Sequence, residues 1–186
     1  MDAFEDLVSL LLRREGYWTT TSFKVELTKQ EKRAIERYST PRWEIDVVAY
    51  RGATNEVLAV ECKSFLDSRG VVFRSGQFEP PERYKLFSEP KARAVVLGRL
   101  GRQLVECGAC AARPSVRLCM ATGNIAQRSD RSGLAAHFEK NGWRLLDDAW
   151  IREQLIGLAD AGYENDVATV TAKILTRRRR TRRRDQ

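Results

Sequence analysis

The sequence contains one histidine, His137, in 186 residues, and that scarcity removes much of hydrolytic chemistry. A Ser/His/Asp set cannot be assembled without it, and its setting beside Leu134 and Phe138 reads as a packed or exposed helix position rather than that of a general base. A G-x-x-x-x-G-K-[ST] loop is also missing, which excludes P-loop nucleotide hydrolysis. No run of 18 apolar residues occurs, so no segment is read as crossing a membrane. The first residues, MDAFEDLVSLLLRREGY, carry acids where a secretory leader carries bases, and a cytoplasmic location is expected. Cysteine is sparse, with Cys62, Cys107, Cys110 and Cys119. Cys107 and Cys110 have C-x-x-C spacing, and with Cys119 and His137 they sketch a zinc site. The second pair lacks compact spacing, and free thiols in a reducing compartment are the expectation.

What is abundant is arginine, unevenly placed. The net charge is +8, yet residues 177–186, RRRRTRRRDQ, hold +6 of it and leave about +2 for the rest. The basicity is that of a tail. Such a run repels itself and stays solvated unless it meets a polyanion, so Arg177, Arg178, Arg179, Arg180, Arg182, Arg183 and Arg184 are candidate nucleic-acid contacts. The alternative is a solvated tail with no defined site.

Periodicity predicts an α/β chain. Residues 2–15 place Phe4, Leu7, Val8, Leu10, Leu11 and Leu12 as an amphipathic helix stopped by Gly16. Strands are expected over 17–27, 43–50 and 56–64, the last two forming a hairpin across residues 51–55. Between the first two strands, residues 28–41 read as a charged excursion, partly helical. Residues 66–80 read as a loop that a partner orders. Pro90 starts a helix to about residue 107, although residues 94–97 also have strand character. A strand over 116–121, a helix over 132–140, a short strand over 143–146 and helices over 149–159 and 167–175 complete the order. The pattern implies a mixed central sheet flanked by helices, with C-terminal helices and a basic tail.

Within the hairpin, RWEIDVVAYRGATNEVLAVECKSF, three charges interrupt apolar runs. Closure about the 53/54 bond makes paired residues sum to 107, placing Asp46 opposite Glu61 and Glu44 opposite Lys63, about 5 Å apart between Cβ atoms. Two carboxylates that close repel unless a cation lies between them. One or two carboxylates, with other positions left to water and phosphate, are how Mg²⁺ (or Mn²⁺) is held, and an adjacent lysine can stabilise charge on a phosphoryl group. The plain alternative is a surface hairpin carrying a Glu–Lys pair.

Asp46 followed by Glu61-Cys62-Lys63 inside apolar strands resembles the D…(D/E)-x-K core of the PD-(D/E)xK nuclease superfamily. The order helix, three-stranded meander, helix, strand is similar to that superfamily's restriction endonuclease-like three-layer core. Residues 117–123, 134–138 and 142–147 resemble the ending of the Mrr-type restriction endonuclease domain. The resemblance implies a nuclease-like domain over 1–160, followed by a C-terminal helix over 161–176 and a disordered arginine-rich tail over 177–186. It further implies that Asp46, Glu61 and the backbone carbonyl of Cys62 bind the metal and that Lys63 is the catalytic lysine. Glu5 matches a first-helix acid that many members add to the metal site, its other reading being a helix acid favoured by the dipole. Glu44 matches an acid before the motif aspartate, or else pairs with Lys63. Gln77 matches a glutamine that sometimes follows the motif, or is an ordinary loop residue.

Two departures qualify the likeness. Ile45 replaces the motif proline, and many Mrr-type members carry Gln where Glu61 stands. No separate N-terminal DNA-reading domain is expected, so target choice falls to inserts, the tail, a homodimer partner or a separate target-recognition protein. The implied activity is Mg²⁺-dependent endonuclease hydrolysis of DNA in restriction, repair or mobile-element defence. The alternatives are a non-cleaving nucleic-acid-binding module of the same fold and, on the cysteines alone, a zinc-stabilised scaffold.

Overall fold

The computed structural model describes residues 2–38 and 42–181, the last five of these by backbone only. Two compact units divide the chain, Met1–Asp147 and Asp148–Gln186. In the first, helix α1 (Ala3–Arg14) starts where the Asp2 side chain accepts the Phe4 N–H at 2.8 Å. Acids in its first turn and arginines in its last suit the helix dipole. Strands β1 (Trp18–Val25), β2 (Trp43–Arg51) and β3 (Glu56–Lys63) form an antiparallel meander. Between β1 and β2, α2 (Lys29–Ala34) opens on a reciprocal cap between Thr28 and Glu31, so the charged excursion is helical in part.

Beyond the meander the sheet becomes parallel. Strands β6 (Ser115–Thr122) and β7 (Arg144–Leu146) extend it in the order β1-β2-β3-β6-β7. Val57 and Ala59 of β3 join a core cluster with Ala92, Val96, Leu100 and Leu104 of helix α4 (Pro90–Glu106). The alternating residues Leu58 and Val60 are fully buried outside that cluster. Burial on both faces is why the VLAV run lacks a polar alternate. The four-residue spacing of α4's buried residues makes one helical stripe, which settles residues 94–97 as helix. Helix α5 (Arg128–Lys140) packs against both β7 and the segment described next.

The expected loop over 66–80 is a small hairpin. Strands β4 (Val72–Arg74) and β5 (Gln77–Glu79) pair antiparallel across Ser75 and Gly76, at φ +50 and +79. Positive φ at both turn positions matches the right-handed twist of the flanking strands. Val72, Phe73 and Phe78 are buried, and Phe73 and Phe78 meet edge-on with centroids 5.0 Å apart. This aromatic core, extended by His137 at 4.9 Å from Phe73, orders the segment from within the chain. A 3₁₀ turn at Pro81–Tyr84 and helix α3 (Lys85–Ser88) lead into α4.

The second unit pairs α6 (Asp148–Asp160) with α7 (Val167–Thr181). Leu158 and Ala172 are buried, and Lys173 Nζ donates to the Ala159 and Ala161 carbonyls at the end of α6. That cap groups α6 with α7, whereas the sequence reading grouped residues 148–160 with the first domain. Helix α7 continues five residues past the expected end at 176, through Thr181. Among the described residues no helix is long and apolar enough to cross a membrane.

Candidate active site

Strands β2 and β3 pair from Arg51↔Glu56 to Val47↔Val60, and every pair sums to 107 as the turn length requires. The ladder stops one pair short of Asp46 and Glu61. Past that point β2 keeps pairing with β1, through Val25↔Trp43, and β3 keeps pairing with β6, through Lys63↔Thr122. Each strand follows its outer neighbour, and the unpaired end between them is a notch in the ladder. On the other edge of β2, Ser22, the β1 residue across from Asp46, has φ +50 and drops out of the ladder.

Asp46 closes one side of this notch. Its Oδ2 accepts the Cys62 N–H at 2.6 Å, a bond that replaces the ladder contact β2 no longer makes. Among the described residues Oδ1 accepts no hydrogen bond from the protein, which leaves its lone pairs to spare. Burial raises the Asp46 pKa. The Cys62 N–H and Lys63 act against that rise, while Glu44 and Asp2 add to it.

Glu61 is more strained electrostatically. Burial first, and the Asp46 charge second, push its pKa up to about 7, with Lys63 opposing. Lys63 Nζ lies 3.7 Å from Glu61 Oε2, with 21% and 17% of the two side chains exposed. Glu5 on α1 belongs to the same group, its pKa raised by burial and then by the charges of Asp46 and Asp2. Five carboxylates, those of Asp2, Glu5, Glu44, Asp46 and Glu61, are thus linked by mutual repulsion, with the Lys63 ammonium among them. A site with that imbalance favours a bound cation.

The expected direct opposition of Asp46 with Glu61, and of Glu44 with Lys63, is corrected, because the ladder ends at Val47↔Val60. Glu44 is exposed and pairs in register with Lys24, while Lys63 turns to Glu61. Glu44 reaches the site only as a like charge on Asp46. Gln77 is exposed on β5 opposite Arg74 and makes no hydrogen bond with the group. Arg177–Arg180 lie in the backbone-only end of α7, and Arg182, Arg183 and Arg184 fall outside the described residues. Asp2 was missed as a member of the cluster. Its signal was the acid one residue before an amphipathic run, which reads first as a cap.

Among the described residues no three His, Cys, Asp or Glu side chains gather closely enough to hold a metal unaided. Mg²⁺ does not need such a cage, since it keeps several waters and takes one or two carboxylates. Asp46 Oδ1, Glu61 and the Cys62 carbonyl fit that donor chemistry, with Glu5 beside them. The four cysteines are free thiols spread over three elements. Cys62 is on β3, Cys107 ends α4, Cys110 follows it, and Cys119 is buried in β6, where burial pushes its thiol up to about 12.

Comparison of the chain with protein-family models, with curated proteins and with solved structures returns no match.

Proposed function

We propose that the chain is a divalent-metal-dependent endonuclease that hydrolyses phosphodiester bonds in DNA on a restriction endonuclease-like fold. The observation that carries this reading is the parting of β2 and β3 at Asp46 and Glu61. A hairpin that gave up three ladder pairs for stability alone would not fill the gap with carboxylates held above their ordinary pKa. Asp46, Glu61 and the Cys62 carbonyl are the residues that would hold Mg²⁺ or Mn²⁺. A bound ion would withdraw charge from a phosphoryl oxygen and supply a nucleophilic hydroxide near neutral pH.

The protein's own part is preorganisation. The Cys62 N–H fixes the Asp46 carboxylate in one rotamer, so its second oxygen points the same way in every turnover. Lys63, tied to Glu61, holds an ammonium where negative charge grows on the scissile phosphate. Glu61, titrating near neutrality, gives up its proton when a cation arrives. Glu5 and Asp2 deepen the negative potential that draws the cation in. The arginine tail is read as a sequence-independent phosphate anchor. The setting we infer is cytoplasmic, in restriction, repair or mobile-element defence, with target choice aided by a homodimer partner or a separate recognition protein.

A non-cleaving binding module of the same fold is the second reading, favoured by the absence of a three-side-chain metal cage among the described residues. Incubating purified protein with labelled duplex, nicked, branched and single-stranded DNA and with RNA, in Mg²⁺, Mn²⁺ or EDTA, separates the two. Cleavage that requires the metal supports the nuclease. Binding without any cleavage across the panel supports the module.

A further inference from the structure

The chain that leaves Lys63 does not run off into solvent. Residues 64–70 fold back over the end of β6, and the fit is tight. A Cβ on Gly123 would sit 2.2 Å from the Ser64 carbonyl oxygen and 2.8 Å from Leu66 Cδ2, and one on Gly70 would sit 2.8 Å from the Asn124 carbonyl oxygen. Asn124 holds the loop from its other side, its Nδ2 donating to the Ser68 carbonyl at 3.0 Å and its own carbonyl accepting the Val71 N–H at 3.0 Å. Phe65 is bent to φ +44, a left-handed conformation that a bulky residue adopts at a cost.

The result of this pinning is an apolar tip in water. Leu66 is 70% exposed, although Phe65 before it packs against the core. The flanking exposed Asp67 and Arg69 cancel in charge, so what the loop presents is the leucine. Three residues span at most about 11 Å, and Thr122, the pairing partner of Lys63, directly precedes the Gly123 under Leu66. The tip therefore stands within about three base steps of any phosphate that reaches Lys63.

We propose that Leu66 is a wedge that enters the base stack beside the scissile phosphate, so that the preferred substrate is duplex DNA with a locally weakened stack, as at a nick, mismatch or branch point. The inference rests on the nuclease reading of the Asp46, Glu61 and Lys63 site. Inserting an apolar side chain between base steps costs unstacking energy, and that cost is least where stacking is already interrupted. A rigid, strained loop suits the task, because a flexible tip would yield before the stack did. Leu66 is a specificity-determining residue in this account and takes no part in the chemistry.

The test uses the full chain and duplexes carrying 2-aminopurine at the cut step, either continuous or with a mismatch there. With Lys63→Ala protein, expected to bind while cutting at least about 100-fold more slowly, 2-aminopurine fluorescence should rise on binding, and adding Leu66→Ala should abolish the rise while Leu66→Met keeps it. In cleavage, the Leu66 protein should prefer the mismatched duplex by roughly 10- to 100-fold, and Leu66→Ala should lose most of its rate on the continuous duplex and little on the mismatched one. Fluorescence change without cleavage by any variant keeps the wedge and transfers it to the binding module. Metal-dependent cleavage with no fluorescence change and no substrate preference overturns the wedge and leaves the nuclease standing. Failure to bind duplex DNA at all overturns the wedge.

Discussion

The two ends of the β2–β3 hairpin are made from the same strands and differ in what they bury. At the turn end, Val47–Arg51 pairs in register with Glu56–Val60, and Val47, Ala49, Leu58 and Val60 are fully buried. At the other end pairing lapses, and Asp46, Glu61 and Lys63 occupy positions that the same alternation would fill with apolar groups. Apolar burial at one end supplies the stability that tolerates electrostatic repulsion at the other. On the proposed function, the contrast teaches where to look for a site in an α/β chain of this kind, namely where a ladder stops while both strands continue.

The sharpest way to break the comparison is to remove the charges. Asp46→Ala, Glu61→Ala and Lys63→Ala should each lower the cleavage rate by at least about 100-fold with the circular dichroism spectrum unchanged. Full activity in Asp46→Ala or Glu61→Ala would mean that the notch is not the site. At the turn end the expectation reverses. Leu58→Ala should cost about 2–5 kcal/mol in denaturant unfolding and leave the rate per folded molecule nearly intact.

Glu61 sharpens the contrast through pH. Its folded pKa, about 7, exceeds that of an ordinary glutamate, so the folded state holds the proton more tightly than the unfolded one. Its favourable contribution is complete below about pH 4.5 and is lost as pH rises toward 7, by on the order of 3 kcal/mol. Glu61→Gln should flatten the fall in melting temperature over that range, and Mg²⁺ should restore part of it in the Glu61 protein alone. A wild-type melting curve insensitive to pH between 4.5 and 7 would contradict the burial of this carboxyl.

Two smaller effects lie outside the hairpin. Seven arginines neutralising five to seven phosphates contribute about −0.9 each to the slope of log affinity against log salt. Deleting residues 177–186 should flatten that slope by several units while low-salt cleavage persists, and an unchanged slope would make the tail's partner something other than nucleic acid. Least of all, Cys107→Ser should shift stability by no more than about 0.5 kcal/mol, and metal analysis should find no stoichiometric zinc.

Much of this architecture was legible from residues alone. The turn over residues 51–55 determines the sum of 107, and the spacing of Ala92, Val96, Leu100 and Leu104 makes α4 a helix. The β4–β5 hairpin was hidden because three-residue strands carry almost no periodic signal, and Ser75 and Gly76 look like loop residues until the buried aromatics around them are known. The end of the ladder was hidden for a different reason. Pairing rules extend a register indefinitely, and only the competition of β1 and β6 for the outer edges, with Asp46 taking the Cys62 N–H, shows where it stops. Asp2 was hidden by having a sufficient local task as a cap.

The central claim, that the parted end of the hairpin holds a divalent cation for work on DNA, is tested most directly by Mn²⁺ titration followed by electron paramagnetic resonance. Lys63→Ala protein bound to duplex DNA keeps the carboxylates while preventing turnover. It should take up at least one Mn²⁺ per chain, and adding Asp46→Ala or Glu61→Ala should eliminate that uptake without releasing the DNA. Equal Mn²⁺ binding with and without those carboxylates would contradict the account.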